Sequence, residues 1–312
     1  MKYISLSCLF LTLLFSQVNA QQTISRDINI ANQVSEVSEA NLKAIVNKLV
    51  SFQTRHTLSD TLSKTTGIGA ARNWIKSEFE KYSKESGNRL QVSFDTFTQA
   101  ADGRRITAPV VLKNVMAILP GTDPNDKRML MLSGHYDSRV TDVNNAKDFA
   151  PGANDDASGV AAVMEMARIM SKQKFNCTIV FVAMVGEEQG LYGATNLAKR
   201  AKAEGWNVHL LMNNDIVGNS YGMETDIKDN KSVRVFSEGV SPLETPAQVA
   251  ARQSAGTDND GKARQAARYI KEVAERYVDQ LEVKLIYRRD RFLRGGDHTP
   301  FSQQGFAAVR IT

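Results

Sequence analysis

Two adjacent carboxylates, Asp155 and Asp156, stand in the small-residue turn "GANDDASG", just ahead of an apolar segment. Asp, Asn, Ser and Gly are ordinary turn and helix-cap residues, so the turn alone also reads as the entrance to a helix. The chemical reading is a cation that offsets the like-charge repulsion. Further polar residues fall at comparable places: His135 and Asp137 follow the run "MLMLS", Glu187 and Glu188 close "IVFVAMVG", Asp215 closes "HLLMNN", and His298 lies in the glycine-flanked "GGDHTPF". Singly, each is also met as a surface pair, a helix N-terminal acid or a turn cap. Jointly they supply imidazole and carboxylate ligands suited to zinc, with a spare glutamate for acid–base work, the inventory for metal-assisted hydrolysis.

Spacing adds to this reading. Residues two apart on an extended chain face the same way, so Asp137 can orient a metal-bound imidazole at His135. Adjacent Glu187 and Glu188 aim in different directions, so one can bind a metal while its neighbour handles protons.

The elements that must carry these residues follow from periodicity. "SEANLKAIVNKLVSFQ" and "GAARNWIKSEFEKYSK" have helical spacing, the latter with Trp74, Ile75 and Phe79 on one face. "RLQVSFDTF" and "TAPVVLKNVMAILPG" read as strands. Short apolar runs then alternate with helical segments: "RMLMLSGH", "SGVAAVMEMARIMSK", "CTIVFVAMVGEE", "LYGATNLAKRAKAEG", "NVHLLMNNDIVG", "GKARQAARYIKEVAERYVDQ", "VKLIYRR" and "FAAVRIT". That alternation predicts an α/β fold, a mixed but mostly parallel sheet with helices on both faces. Ligands of such sheets bind outside the carboxyl ends of the strands, where the polar residues above would converge. Residues 242–261 read as an excursion from the domain, and the bare final strand reads as an incomplete end.

At these residues the sequence resembles the co-catalytic two-zinc aminopeptidases of the bacterial leucyl aminopeptidase and aminopeptidase Y type, with glutamate carboxypeptidase a more distant relative. "GHYDS", "PGANDDASG", "GEEQGLYGA", "NNDIVG" and "GGDHTPF" occur in the family's order between Arg128 and Phe301. The resemblance implies a zinc exopeptidase-like three-layer sandwich holding Zn2+, two per chain. Asp155 would bridge both ions, Glu188 and His298 would complete one site, and His135 and Asp215 the other. Glu187 would be the general base, Asp137 the partner of His135, and the Asp155–Asp156 peptide bond would be cis. The implied activity is a secreted aminopeptidase acting on peptide substrates. Alternatives are a carboxypeptidase or dipeptidase, with Arg288, Arg289, Arg291 and Arg294 gripping a substrate carboxylate, a one-zinc glutaminyl cyclase, which usually has serine where Asp156 stands, and a non-catalytic binding protein.

The rest of the chain bounds these readings. One early lysine, an apolar run at residues 6–15 and the ending Val18-Asn19-Ala20 read as a signal peptide over residues 1–20 and predict export to the periplasm or beyond. Residues 21–36 read as a flexible segment and 37–312 as the peptidase domain. No second apolar segment reaches spanning length, which argues against stable membrane insertion. The 39 Lys and Arg against 34 Asp and Glu are spread without a basic, aromatic-interleaved block, which argues against nucleic acid as a partner. Cys177 alone remains after cleavage, excludes an internal disulfide, and reads as buried and inert. His56 and His209 read as surface or satisfied structural histidines, and Met164, Met166 and Met170 as core filler.

Overall fold

The computed structural model describes residues 25–222, 225–292 and 294–312; the expected signal peptide lies outside them. In chain order the elements are α1 (Ile28–Ser35), α2 (Glu39–Val50), α3 (Gly67–Glu85), β1 (Gln91–Gln99), β2 (Val110–Leu119), β3 (Met129–His135), α4 (Ser158–Met170), β4 (Thr178–Met184), α5 (Glu187–Gly190), α6 (Tyr192–Ala203), β5 (Val208–Asn214), β6 (Ser232–Ser237), α7 (Pro246–Ser254), α8 (Lys262–Tyr277), β7 (Glu282–Ile286), α9 (His298–Gln303) and β8 (Ala308–Ile311).

The strands form one 8-stranded sheet in the order β1-β2-β4-β3-β5-β8-β6-β7. The centre, β4-β3-β5-β8, is parallel throughout. β1 and β2 are antiparallel additions on one side, and β6 meets β8 antiparallel on the other. The apolar run of β4 is buried on both faces: Ile179, Phe181 and Ala183 enter a core formed with α2, α3 and α4, and Val180, Val182 and Met184 enter a core formed with α6 and Phe301 of α9. A third cluster packs Ala263 and Ala267 of α8 on Val235, Val283 and Val309. This is the expected three-layer arrangement.

Several local expectations need correction. Residues 28–35, read as flexible, form α1: the Asp27 carboxylate caps it by accepting from Asn29 N, and Asp27 N donates to the Tyr277 hydroxyl at 2.7 Å, docking its start on α8. The 242–261 excursion contains α7, begun by the Thr245/Gln248 capping box with Pro246 at the first position. β6 was not anticipated. Cys177 is half-buried, not buried. No helix of the described residues is long and apolar enough to cross a membrane.

Glu165 of α4 ties the N-terminal helices to the domain. It is 2% exposed. Its carboxylate accepts from Ser38 N at 2.8 Å, from Asn41 Nδ2, and from Arg168 Nε and Nη2 at 2.9 and 2.7 Å. Burial opposes its charge, but Arg168, the Ser38 amide and the Asn41 amide outweigh that and hold its pKa below the usual glutamate value of 4.5. A carboxylate with a lowered folded pKa adds stability above its unfolded pKa and loses it as pH falls through the folded value. Glu165→Gln should therefore cost roughly 1–3 kcal/mol at pH 7. Urea unfolding at a series of pH values should show this difference shrinking below 4.5.

Candidate active site

The side chains singled out in the sequence gather at the carboxyl edge of three adjacent parallel strands. His135 is the last residue of the middle strand, β3. Glu187 and Glu188 open the turn of α5 after β4 on one side, and Asp215 follows β5 on the other. Asp155 comes from the turn between β3 and α4, where Asp155 and Asp156 leave helical geometry and are joined by a cis peptide bond. Gly186, at φ 73°, supplies the left-handed residue that lets β4 break into α5 at once.

Tight backbone contacts hold the rim. A Cβ at Gly159 would stand 2.1 Å from Asn214 O, and one at Gly134 would stand 2.6 Å from the Gly159 carbonyl carbon. Only glycines let α4 start directly against β3 and β5. The buried Asp156 carboxylate fastens this junction, accepting from His135 N at 2.9 Å, Gly159 N at 2.9 Å and Ile216 N at 3.2 Å.

Among the described residues, His135, Glu187 and Asp215 form a group whose ligand atoms all lie within 4.8 Å of one another. Asp155 joins them, its Oδ1 3.0 Å from His135 Nε2; its side chain is 47% exposed, so the cluster opens to solvent there. His135 Nδ1 lies 3.2 Å from the backbone carbonyl of Asp137 and 3.6 Å from that residue's carboxylate. The Asp137 carboxylate accepts instead from Glu187 N at 3.2 Å, Glu188 N at 3.1 Å and Thr57 Oγ1 at 3.3 Å, clamping the turn that bears both glutamates.

Two expected ligands stand apart from the compact group. The Glu188 carboxylate accepts from Arg139 Nε at 2.7 Å. His298 donates from Nε2 to the Arg289 carbonyl at 2.9 Å, while its buried Nδ1 has no hydrogen-bond partner among the described residues. It is nonetheless close: a Cβ at Gly296 would stand 3.2 Å from His298 Nδ1 and 3.3 Å from Asp215 Oδ2.

The electrostatics are those of crowded acids. Burial, opposed by His135 and reinforced by neighbouring carboxylates, raises Glu187 and Asp215 above the usual carboxylate range and brings Asp297 to about 8. Burial likewise raises Glu188 to about 7. Burial also works against the charge of His135, but Glu187, Asp137 and Asp155 outweigh it and raise its pKa well above the usual value. Burial lowers His298 to about 4.

Sequence reading missed two buried arginines. Arg55 donates to the carbonyls of Tyr136, Pro151 and Gly152 at 2.8, 2.7 and 2.9 Å, bracing both the β3 exit and the Asp155 turn. Arg310, inside the apolar run of β8, pairs with Asp215 and Asp290. Neither carries a local sequence signal: Arg55 stands in a polar stretch and Arg310 is a single arginine among apolar residues, and both read as surface. His56 is buried, accepting from Leu58 N at 3.0 Å, a satisfied structural histidine.

Residues 114–312 match the family model described as Peptidase family M28. The chain belongs to peptidase family M28. Over 289 residues it is 48% identical to a "Probable zinc metalloprotease" of Pyrenophora teres f. teres, covering 92% of this chain and 59% of that protein. It is 47% identical over 283 residues to a probable zinc metalloprotease of Leptosphaeria maculans, covering 91% and 65%. This M28 chain thus spans less than two thirds of the length of either relative. In fold it is similar to the Legionella pneumophila LapA aminopeptidase, with TM-score 0.64 and 20% identity over 92% of this chain and 64% of that one. It is similar also to an aminopeptidase from Aneurinibacillus sp. strain AM-1, with TM-score 0.59 and 15% identity over 90% and 86%.

The space at Gly296 admits a direct test. Gly296→Ala places a methyl 3.2 Å from His298 Nδ1 and 3.3 Å from Asp215 Oδ2, both buried, and should destabilise the metal-free protein in urea unfolding by about 1 kcal/mol, the low end of the cost of overpacking.

Proposed function

We propose that this chain is an exported zinc-dependent exopeptidase, an aminopeptidase that hydrolyses N-terminal residues of peptides. The observation that carries the reading is the convergence of His135, Asp155, Glu187 and Asp215 on one open rim of the sheet.

The donor set fits zinc. His135 Nδ1 faces a carbonyl, which accepts only, so this nitrogen bears a hydrogen and Nε2 is the atom left to bind a proton or a metal. Nε2 then meets the Asp155 carboxylate at 3.0 Å, and two acceptors hold that distance only with a proton or cation between them. The same reasoning leaves the buried Nδ1 of His298 as a lone pair without a donor, beside Asp297, whose carboxylate oxygens have no partner among the described residues. Imidazole and carboxylate are zinc ligands, and a divalent charge would reverse the upward pKa shifts of the crowded acids. His135 and Asp215 would hold one ion and Glu188 and His298 the other, with Asp155 common to both. Glu188 would have to exchange Arg139 for the metal. Bound there, zinc lowers the pKa of water and polarises a peptide carbonyl.

The chain's own groups supply the rest. Glu187, buried among acids, takes a proton from water and returns it to the departing amine. Asp137 fixes the backbone of Glu187 and Glu188 and so sets where both carboxylates point. The acidic mouth beside Asp155 suits a free ammonium at the substrate N-terminus. Three of the four arginines that could grip a substrate carboxylate have partners within the protein, Arg289 with Glu238, Arg291 with Asp290 and Arg288 over the Phe292 ring, while Arg294 is exposed. The names of the curated relatives support the metal and the peptidase chemistry, and those of the solved neighbours the aminopeptidase direction. The apolar residues 6–15 support export.

The test uses the purified full chain, with free-amine and N-acetylated peptides and with and without a chelator. Cleavage of the free-amine set alone, abolished by chelation, is expected; equal cleavage of blocked peptides would overturn the exopeptidase direction. Glu187→Gln should retain near-wild-type zinc by elemental analysis and lose about 10²- to 10⁴-fold in kcat. Undiminished turnover would move the proton transfer to another group.

A further inference from the structure

We propose that Arg310 is a positioning residue that joins the two halves of the candidate metal centre, fixing Asp215 at the end of β5 and holding against it the loop that carries His298. The inference rests on the metal-centre reading above.

Arg310 is 1% exposed and lies in β8 between Asn213 of β5 and Phe236 of β6. A buried guanidinium is costly unless paired. Its Nη2 is 3.0 Å from Asp215 Oδ1, an ion pair without hydrogen-bond alignment, and its Nη1 donates to Asp290 Oδ2 at 2.8 Å and to the Gly295 carbonyl at 3.3 Å. Asp290 and Gly295 bracket the approach to His298, and Asp290 Oδ2 lies 3.8 Å from His298 Nε2. One rigid fork therefore spans from the strand end to the loop. It also sorts the oxygens of Asp215: Oδ1 faces Arg310 Nη2, while Oδ2, like His298 Nδ1, borders the space at Gly296. A lysine carries the charge on a single nitrogen, without the planar fork whose two ends here reach Asp215 and Asp290 separately. Partners that orient metal ligands in this way typically change metal affinity 10- to 100-fold when removed.

The experiment compares wild type with Arg310→Met, Arg310→Lys and Asp290→Asn. The first readout is amide hydrogen exchange of residues 288–298 in the metal-free protein, and the second is zinc affinity by chelator competition. Each variant is expected to speed exchange in that segment at least tenfold while α3 stays protected, and to weaken zinc binding by about 10- to 100-fold. Arg310→Lys should keep the fold without restoring the protection of the loop. Asp290→Asn weakens only the loop arm, removing the charge at Asp290 while the Gly295 contact remains, and decides the matter if neither Arg310 variant folds. Wild-type exchange in the segment in any folded variant, or wild-type zinc affinity in all of them, overturns the proposal. If wild-type protein binds no zinc, the metal-centre reading fails by itself, and the exchange comparison still decides whether Arg310 holds the loop.

Discussion

The site depends first on one carboxylate that takes no part in the proposed chemistry. Asp156 gathers the amides of His135, Gly159 and Ile216, and so pins the end of β3, the start of α4 and the exit of β5 to a single side chain. Because the peptide groups are rigid, fixing these three amides also fixes the origin of His135, Asp155 and Asp215. The glycines at 134 and 159 are what allow the segments to come so near.

Around that junction the protein distributes charge unevenly. The solvent-facing rim collects acids, whose mutual repulsion in a poorly hydrated setting is large. Positive groups stand behind or beside them: Arg55 under the Asp155 turn, Arg310 behind Asp215 and Arg139 beside Glu188. The first two are buried and braced by several acceptors, so they act as framework. Arg139 is partly exposed, and its single salt bridge to Glu188 is the kind of contact a stronger cation displaces.

The sequence conveyed the central sheet well, because strands buried on both faces must be largely apolar; β4 obeys that rule throughout, and β3 and β5 over most of their length. It conveyed the positions of His135, Glu187 and Asp215 relative to strand ends, since polar residues directly after such runs are conspicuous. What it could not convey depended on distant partners. β6 is a strand because β8 and β7 flank it, and both lie far along the chain. α1 buries no residue fully and owes its place to its cap and to Tyr277. Arg310 became legible only once Asp215 and Asp290 stood on either side of it. The turn of Glu188 toward Arg139, and of the Asp137 carboxylate toward backbone amides, are side-chain choices that no spacing rule encodes.

The residues converging on the rim sit on strand ends or on the first turns after them, while the 242–261 excursion has its own internally capped helix and leaves from the far side of β6. Chemistry and periphery are thereby separable inheritances. The outer loops can change in length and sequence while the rim residues, riding on the most deeply buried strands, keep their places.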